Sequence, residues 1–351
     1  MKFSIAFGIV CTSAGIASAQ TINPDFGGCY SIRQLGSVPG VPVPYGGVTF
    51  KYDDPDMMLI GGAANQDGGA IYSIRVTRDA EGVIDGFDGT AELFATAPNI
   101  DGGLTFGPGN VLFFTRFSQH AIGQIKPLST GPDKEVSLAP FFAGSTGSVQ
   151  FVPAGFPGEG RMKASSYNAS LWADLAFSAD GSGTYNITGA PTTIGIGGGP
   201  EGLVFVQPGN PGFTKHSVLV SEYNTGKIAC YDLDASGDPI LATRRELISG
   251  LTGAEGGTRD PRNGHFLFNT FNGGDRVILV TGFNLACRPN INGDCYVDDA
   301  DFVLFAVMYN ILDCGDPSMP AGCPADFNDD GLVDDSDFVI FVDAYNRLIC
   351  Q

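Results

Sequence analysis

Between about residues 25 and 285 the chain alternates short apolar runs with polar turn signals such as Asp67-Gly68-Gly69 and Asp180-Gly181, in a Gly-rich, Phe-rich texture poor in helix formers. That texture predicts an all-β region. One short pattern returns within it, a pair of small or acidic residues leading into an alternating strand: GGVTF (Gly46–Phe50), GGLTF (Gly102–Phe106), GSVQF (Gly147–Phe151), EGLVF (Glu201–Phe205) and EGGTR (Glu255–Arg259). The copies start 56, 45, 54 and 54 residues apart. Four strands with their turns occupy roughly 40 to 50 residues, so this period predicts the blades of a β-propeller, with each copy an innermost strand.

After the fifth copy, Asp260 to Phe283 leave room for about three strands, HFLFNTF and RVILVTGF being the clear ones. One strand is missing there. The segment Tyr30–Gly36 resembles those that precede later copies, Glu92–Ala95 and Arg245–Ile248, and is expected to serve as the outer strand of the last blade, closing the ring and removing its sheet edges. The expectation is mainly β, five blades, with six as the alternative.

Beyond residue 285 the pattern changes. One unit is written twice, 36 residues apart, as Cys287–Cys314 and Cys323–Cys350. In each, a polar acidic loop precedes apolar positions spaced by three and four: Phe302, Phe305, Ala306 and Tyr309, then Phe338, Phe341, Val342 and Tyr345. Such spacing predicts one helix after each loop, with these residues as its buried face.

The second loop reads Asp326, Asn328, Asp330, Gly331, Leu332, Asp334 and Asp337, the pattern D-x-N-x-D-G-x-V-D-x-x-D. Calcium needs hard oxygen ligands on a tightly wound loop: side chains at positions 1, 3 and 5, a carbonyl at 7 (Leu332), position 9 directly or through water, and a carboxylate at 12. Gly331 permits the turn. The first loop carries Asn290, Asn292, Asp294, Tyr296 (carbonyl), Asp298 and Asp301, with a charge lost at position 1 and Cys295 where glycine is expected. A left-handed non-glycine residue costs on the order of 1 kcal/mol. The first loop is therefore expected to bind calcium more weakly.

Charge follows the same division. Residues 285–351 hold 13 Asp and two Arg, a balance of −11 out of the chain's −19, leaving −8 for the rest. So acidic a chain repels phosphate backbones, and nucleic acid is not expected as a partner. The first 19 residues read as a signal peptide: Lys2, an apolar run from Phe3 to Ile16, then Ala17-Ser18-Ala19. No later stretch reaches the roughly 18 apolar residues of a membrane span. The expectation is a secreted or cell-surface protein, with residues 20–285 forming the propeller and 286–351 the calcium-binding unit.

Loop plus single helix, duplicated, with no helix leading into either loop, resembles a dockerin module over residues 287–350. That resemblance implies calcium-dependent docking onto a cohesin-like protein. Where dockerins carry small hydroxyl residues at loop positions 10 and 11, this chain has Asp299-Ala300 and Asp335-Ser336, a departure at the positions that recognise cohesin. The resemblance also implies head-to-tail packing of the two copies, which would pair Cys287 with Cys350 and Cys314 with Cys323. Bridges within a copy would be stretched, because Cys287 lies about 10 Å of extended chain before its loop and Cys314 about 19 Å of helix beyond it. Cys295 is then left with Cys29 and Cys230, and the odd count leaves one thiol over.

In the β region, Val218–Asp232 resembles a blade of the NHL or gluconolactonase-like propellers. Glu201 and Glu255 share one position in their repeats, at the entry to an inner strand, and Asp101 lies one residue off that register. Carboxylates converging on the axis can hold a divalent ion, as the resemblance to lactonase-like propellers implies. None of His120, His216 and His265 sits in a triad motif, and no G-x-S-x-G elbow is present. Two readings follow: a non-catalytic propeller that binds protein or carbohydrate and is attached through a calcium module, or a metal-dependent hydrolase or lactonase of a polysaccharide-degrading system.

Overall fold

The computed structural model describes residues 20–283 and 288–346. The expected signal peptide and the expected Cys287–Cys350 bridge lie outside the described residues. Five four-stranded antiparallel units stand around one axis. Their innermost strands, Val48–Lys51, Ile100–Phe106, Thr146–Phe151, Pro200–Val206 and Ala254–Arg259, coincide with the five sequence repeats. The protein is a five-bladed β-propeller.

Ring closure follows the expected route. Ser31–Gly36 pairs with Val277–Thr281 as the outer strand of the fifth blade, with Ser31 opposite Thr281 and Gln34 opposite Ile278. A further short strand, Thr21–Ile22, adds to the outer edge of the fourth blade through Ser249 and Ile248. The chain entering the fold thus ties two neighbouring blades.

Apolar residues fill the spaces between blades, so the inner and middle strands are covered on both faces. Val204, Leu219 and Ile228 of the fourth blade meet Phe266, Phe268 and Ile278 of the fifth, and Leu203, Val218 and Val220 meet Trp172 of the third. Hydroxyl groups add a second connection near the axis. Thr115 Oγ1 accepts from Gly103 N at 2.9 Å in its own blade and donates to Gly147 O of the next at 2.9 Å. Ser165 Oγ repeats this with Ser148 N and Pro200 O. Asn269 Nδ2 closes the circuit by donating to Gly46 O of the first blade.

Where charge is buried between blades it is paired. Lys163 is fully buried, and its Nζ donates to Asp174 Oδ1 (2.9 Å), Asp238 Oδ1 (2.6 Å) and Ser236 O (2.9 Å). Trp172 Nε1 donates to the same Asp238 oxygen at 2.7 Å.

The C-terminal repeats form α1 (Asp299–Tyr309) and α2 (Asp335–Tyr345), one after each loop as expected. Tyr345 Oη donates to Asp299 Oδ1 at 2.6 Å, and Tyr309 donates to Asp335. Each helix end is thereby tied to the start of the other, a head-to-tail pair. The expected buried stripe needs correction. Phe305 and Phe341 are buried with rings 5.2 Å apart, whereas Phe302, Phe338, Tyr309 and Val342 are partly exposed, because two helices alone cannot cover a whole face. Met308, unmarked in the sequence reading, is buried instead.

The Cys314–Cys323 disulfide is present. Cys295 pairs with Cys29, their Cα atoms 4.9 Å apart, which ties the first calcium-type loop to the turn Pro24–Cys29 before the propeller. Cys230 is a buried free thiol.

Replacing Lys163 with Met removes the charge facing Asp238 and one of the two facing Asp174. We expect a loss of about 3 kcal/mol of stability in urea denaturation; a change within half a kcal/mol would show that this cluster does not fasten the blades.

Candidate axial cation site

The inner strands begin at one end of the axis, and those of the second to fifth blades begin with a bulge. Pro200 faces Glu222, yet Leu203 faces Val220, three residues against two. Ala254 to Gly257 repeats this spacing opposite Thr270 and Phe268. The second blade has one residue more: Ile100 faces Arg116 and Leu104 faces Phe114. That extra residue explains why Asp101 looks out of register. Counted from the strand start, Asp101 occupies the place of Glu201 and Glu255, and the three carboxylates meet.

One oxygen from each of Asp101, Glu201 and Glu255 lies within 4.8 Å of the others. All three residues are buried, at 1%, 3% and 1% exposure. Asp101 Oδ2, Glu201 Oε2 and Glu255 Oε1 have no hydrogen-bond partner, and neither has the nearby Asn65 Oδ1. The first and third blades carry Gly46 and Gly147 in this ring. A Cβ on Gly147 would stand 2.9 Å from Glu201 Oε2, and one on Gly102 would stand equally close, so these glycines leave the space the carboxylate occupies.

A cavity of about 270 Å³ opens over the acids, lined also by Asn65, Phe117, Tyr167, Tyr223 and Phe271. Among the described residues, no lysine, arginine or histidine lines it. Burial holds all three carboxyl groups well above ordinary carboxylate values, and mutual repulsion adds to this at Glu201, from Asp101 and Glu255, and at Glu255, from Asp101. Asn65 and the Gly102 amide offset part of the rise at Asp101.

Buried charges of one sign need a cation or protons. Oxygens spaced within 4.8 Å of one another fit ligands at the 2.3–2.6 Å from a central ion that calcium takes, and the donor set is all hard oxygen. These residues fit a divalent cation.

The C-terminal loops turn their backbone amides onto their own carboxylates. Asp326 accepts from Asp330 N at 3.1 Å and Gly331 N at 2.9 Å, while the buried Asp337 accepts from Phe327 N, Asn328 N and Asp334 N. Asp326, Asp330 and Asp337 bring oxygens together in the second loop. Asn328 Nδ2 donates to Asp330 Oδ2, leaving its amide oxygen on the backbone of Asp330. In the first loop Asp301 accepts from Asn292 N and Asp298 N, Asn292 and Asp294 are bonded to one another, and Asn290 Oδ1 is unpartnered. Asp298 with Asp301, and Asp334 with Asp337, also form the capping boxes of α1 and α2, so loop positions 9 and 12 start the helices as well. Position 6 is left-handed in both copies, φ 79° at Cys295 and 90° at Gly331. The carbonyl positions Tyr296 and Leu332 follow directly. Tyr296 also lies against Gly28, beside the Cys29–Cys295 bridge.

No protein-family model and no curated protein matches the chain. Similar solved structures include the PQQ-bound aldose sugar dehydrogenase of Streptomyces coelicolor (13% identity, 70% of this chain and 83% of that one, TM-score 0.39). An auxiliary nutrient binding protein of Bacteroides ovatus matches at 11% identity (72% and 76%, TM-score 0.40). The pyranose dehydrogenase PQQ domain of Coprinopsis cinerea matches at 10% (75% and 97%, TM-score 0.39). These neighbours bind or act on different things, and at such identities and scores they do not define a function for this chain.

The raised carboxyl groups make a pH prediction. Their unfolded values are near 3.8 and 4.5, and the folded values are higher. The stability they support is therefore present below the unfolded values and is lost as pH rises through the folded ones. In a chelator, Glu255→Gln should raise Tm over wild type by an amount that grows as pH rises above the unfolded carboxyl range. In excess calcium the order should reverse. A pH-independent difference would show that Glu255 stays ionised and compensated by other means.

Proposed function

We propose that this is an extracellular, non-catalytic binding propeller whose axial cavity holds a divalent cation, calcium, on Asp101, Glu201, Glu255 and the Asn65 amide oxygen, and which is attached to a larger assembly through a calcium-binding dockerin-like module. The observation that carries the axial part is the set of buried, unpartnered oxygens facing one cavity. A bound divalent cation would offset two of the three negative charges and leave its outer face for a ligand; the residues themselves would fix its position. The disulfides fit export, and no helix among the described residues is long and apolar enough to cross a membrane.

In the module, the head-to-tail helices and the Cys314–Cys323 bridge support the dockerin-like reading. Asp299 and Asp335, at the positions where dockerins recognise cohesin, are engaged by Tyr345 and Tyr309. The partner-facing surface then falls to the exposed apolar residues of the helices, Val303 (61% exposed) and Val339 (68%) among them. The partner is accordingly cohesin-like in role, or another cell-surface component, with a contact unlike the conventional one.

Calorimetric calcium titration of the full chain tests both halves. Asp330→Ala should remove the tightest loop site, Asp294→Ala a weaker one, and Glu201→Gln with Glu255→Gln a third, each without changing the others. Retention of all calcium in the Glu201/Glu255 variant would refute the axial site. Equal affinities of the two loops would refute their ranking.

A further inference from the structure

The axial cavity has a wall that a cation alone does not use. Phe117, Tyr167, Tyr223 and Phe271 each come directly after the second strand of their blade, which ends at Arg116, Ser166, Glu222 and Thr270. Successive rings are 6.1, 5.6 and 6.1 Å apart, with planes inclined by 66°, 87° and 69°. A five-bladed ring turns by about 72° per blade. The rings therefore follow the blades around the axis instead of lying flat across it. In the first blade the same place, after Gly62, belongs to Ala63, so the wall has a notch one blade wide. The cavity, about 270 Å³, far exceeds one ion.

We propose that this site takes a neutral carbohydrate: a pyranose ring held against the aromatic wall, with hydroxyls directed to the cation on the acid floor and its glycosidic substituent leaving over Ala63. The inference rests on the axial cation reading. Three arguments select the class. Hydroxyls are hard oxygen donors of the kind calcium accepts. The faces of a sugar ring are C–H surfaces that pack on aromatic rings, which give large contact at small entropic cost. Three carboxylates with one divalent ion keep a negative charge, and with no basic side chain in the lining, acidic or phosphorylated ligands are repelled. An organic ammonium ion also suits aromatic rings above carboxylates, but it would replace the metal, whereas a sugar needs it.

The test uses the full chain in an Asp294→Ala, Asp330→Ala background that silences the loops. Tyrosine-sensitised terbium luminescence reads the axial cation by itself. Methyl glycosides of glucose, galactose, mannose and xylose, the disaccharides cellobiose and xylobiose, and choline are then titrated by calorimetry with calcium and with chelator. We expect a neutral glycoside to bind in calcium and not in chelator, and to weaken by about tenfold or more in Tyr223→Ala and Tyr167→Ala with calcium binding, read by calorimetry in these variants, unchanged. Ala63→Phe should lower disaccharide binding and spare the monosaccharide. If terbium binds and Glu201→Gln abolishes it, yet no glycoside binds or the tyrosine variants bind equally well, the carbohydrate inference is wrong. Choline binding that strengthens in chelator also overturns it. Terbium binding indifferent to Glu201→Gln overturns the cation reading itself.

Discussion

The structure depends on how closely five inner strands approach one another at the axis. A Cβ on Gly103 would sit 2.5 Å from Val149 N of the next blade, and one on Gly202 would sit 2.4 Å from Glu255 O. Backbone meets backbone there, so no side chain can move aside. With the strands this close, Thr115 and Ser165 can reach from one blade to the next, and the axis becomes dry enough for carboxyl groups at the strand starts to lose their water. The pairing of Ser31–Gly36 with Val277–Thr281 closes the ring in which the strands are packed this closely.

Within this dry interior the treatment of charge is uneven, and the unevenness carries the functional argument. Lys163 meets two carboxylates and a carbonyl, and the fully buried Asp260 carboxylate meets both terminal nitrogens of Arg78. These clusters balance and fasten. Asp101, Glu201 and Glu255 face each other with no basic partner. Burial without compensation is unfavourable by several kcal/mol per ion, whereas the other buried carboxylates of the propeller, Asp174, Glu222, Asp238 and Asp260, each meet a basic side chain. A cation supplied from outside would resolve the conflict.

Much of the fold was legible because a propeller writes its period into the chain. The doublets at Gly46, Gly102, Gly147, Glu201 and Glu255 mark the close approaches just described, so the same constraint that shapes the axis made the repeats visible. Glu201 and Glu255 were found that way. Asp101 stands one residue off the repeat register in the sequence, and the bulge between Ile100 and Leu104 that brings it level with Glu201 and Glu255 appears only in strand pairing. The aromatic wall was missed. Its members share a place relative to the second strands, and aligning the chain on those strands would have shown Phe117, Tyr167, Tyr223 and Phe271 in one column. The Cys29–Cys295 bridge spans 266 residues, and neither an odd cysteine count nor spacing could assign it.

That bridge changes the meaning of the degraded first loop. Cysteine at position 6 reads from sequence as a loss, because the left-handed backbone there prefers glycine. In the structure Cys295 adopts that conformation, φ 79°, while bonded to the turn that enters the propeller. Tyr296 next to it supplies the carbonyl position and rests on Gly28. The first loop is thus fixed at two adjacent residues to the ring, while Gly331 in the second loop is unencumbered. One unit copied twice has diverged by position: the copy nearer the propeller exchanges ligand charge for a covalent tie, and the outer copy keeps the carboxylates. Such a division separates the covalent joint to the blades from the clustered carboxylates of the second loop.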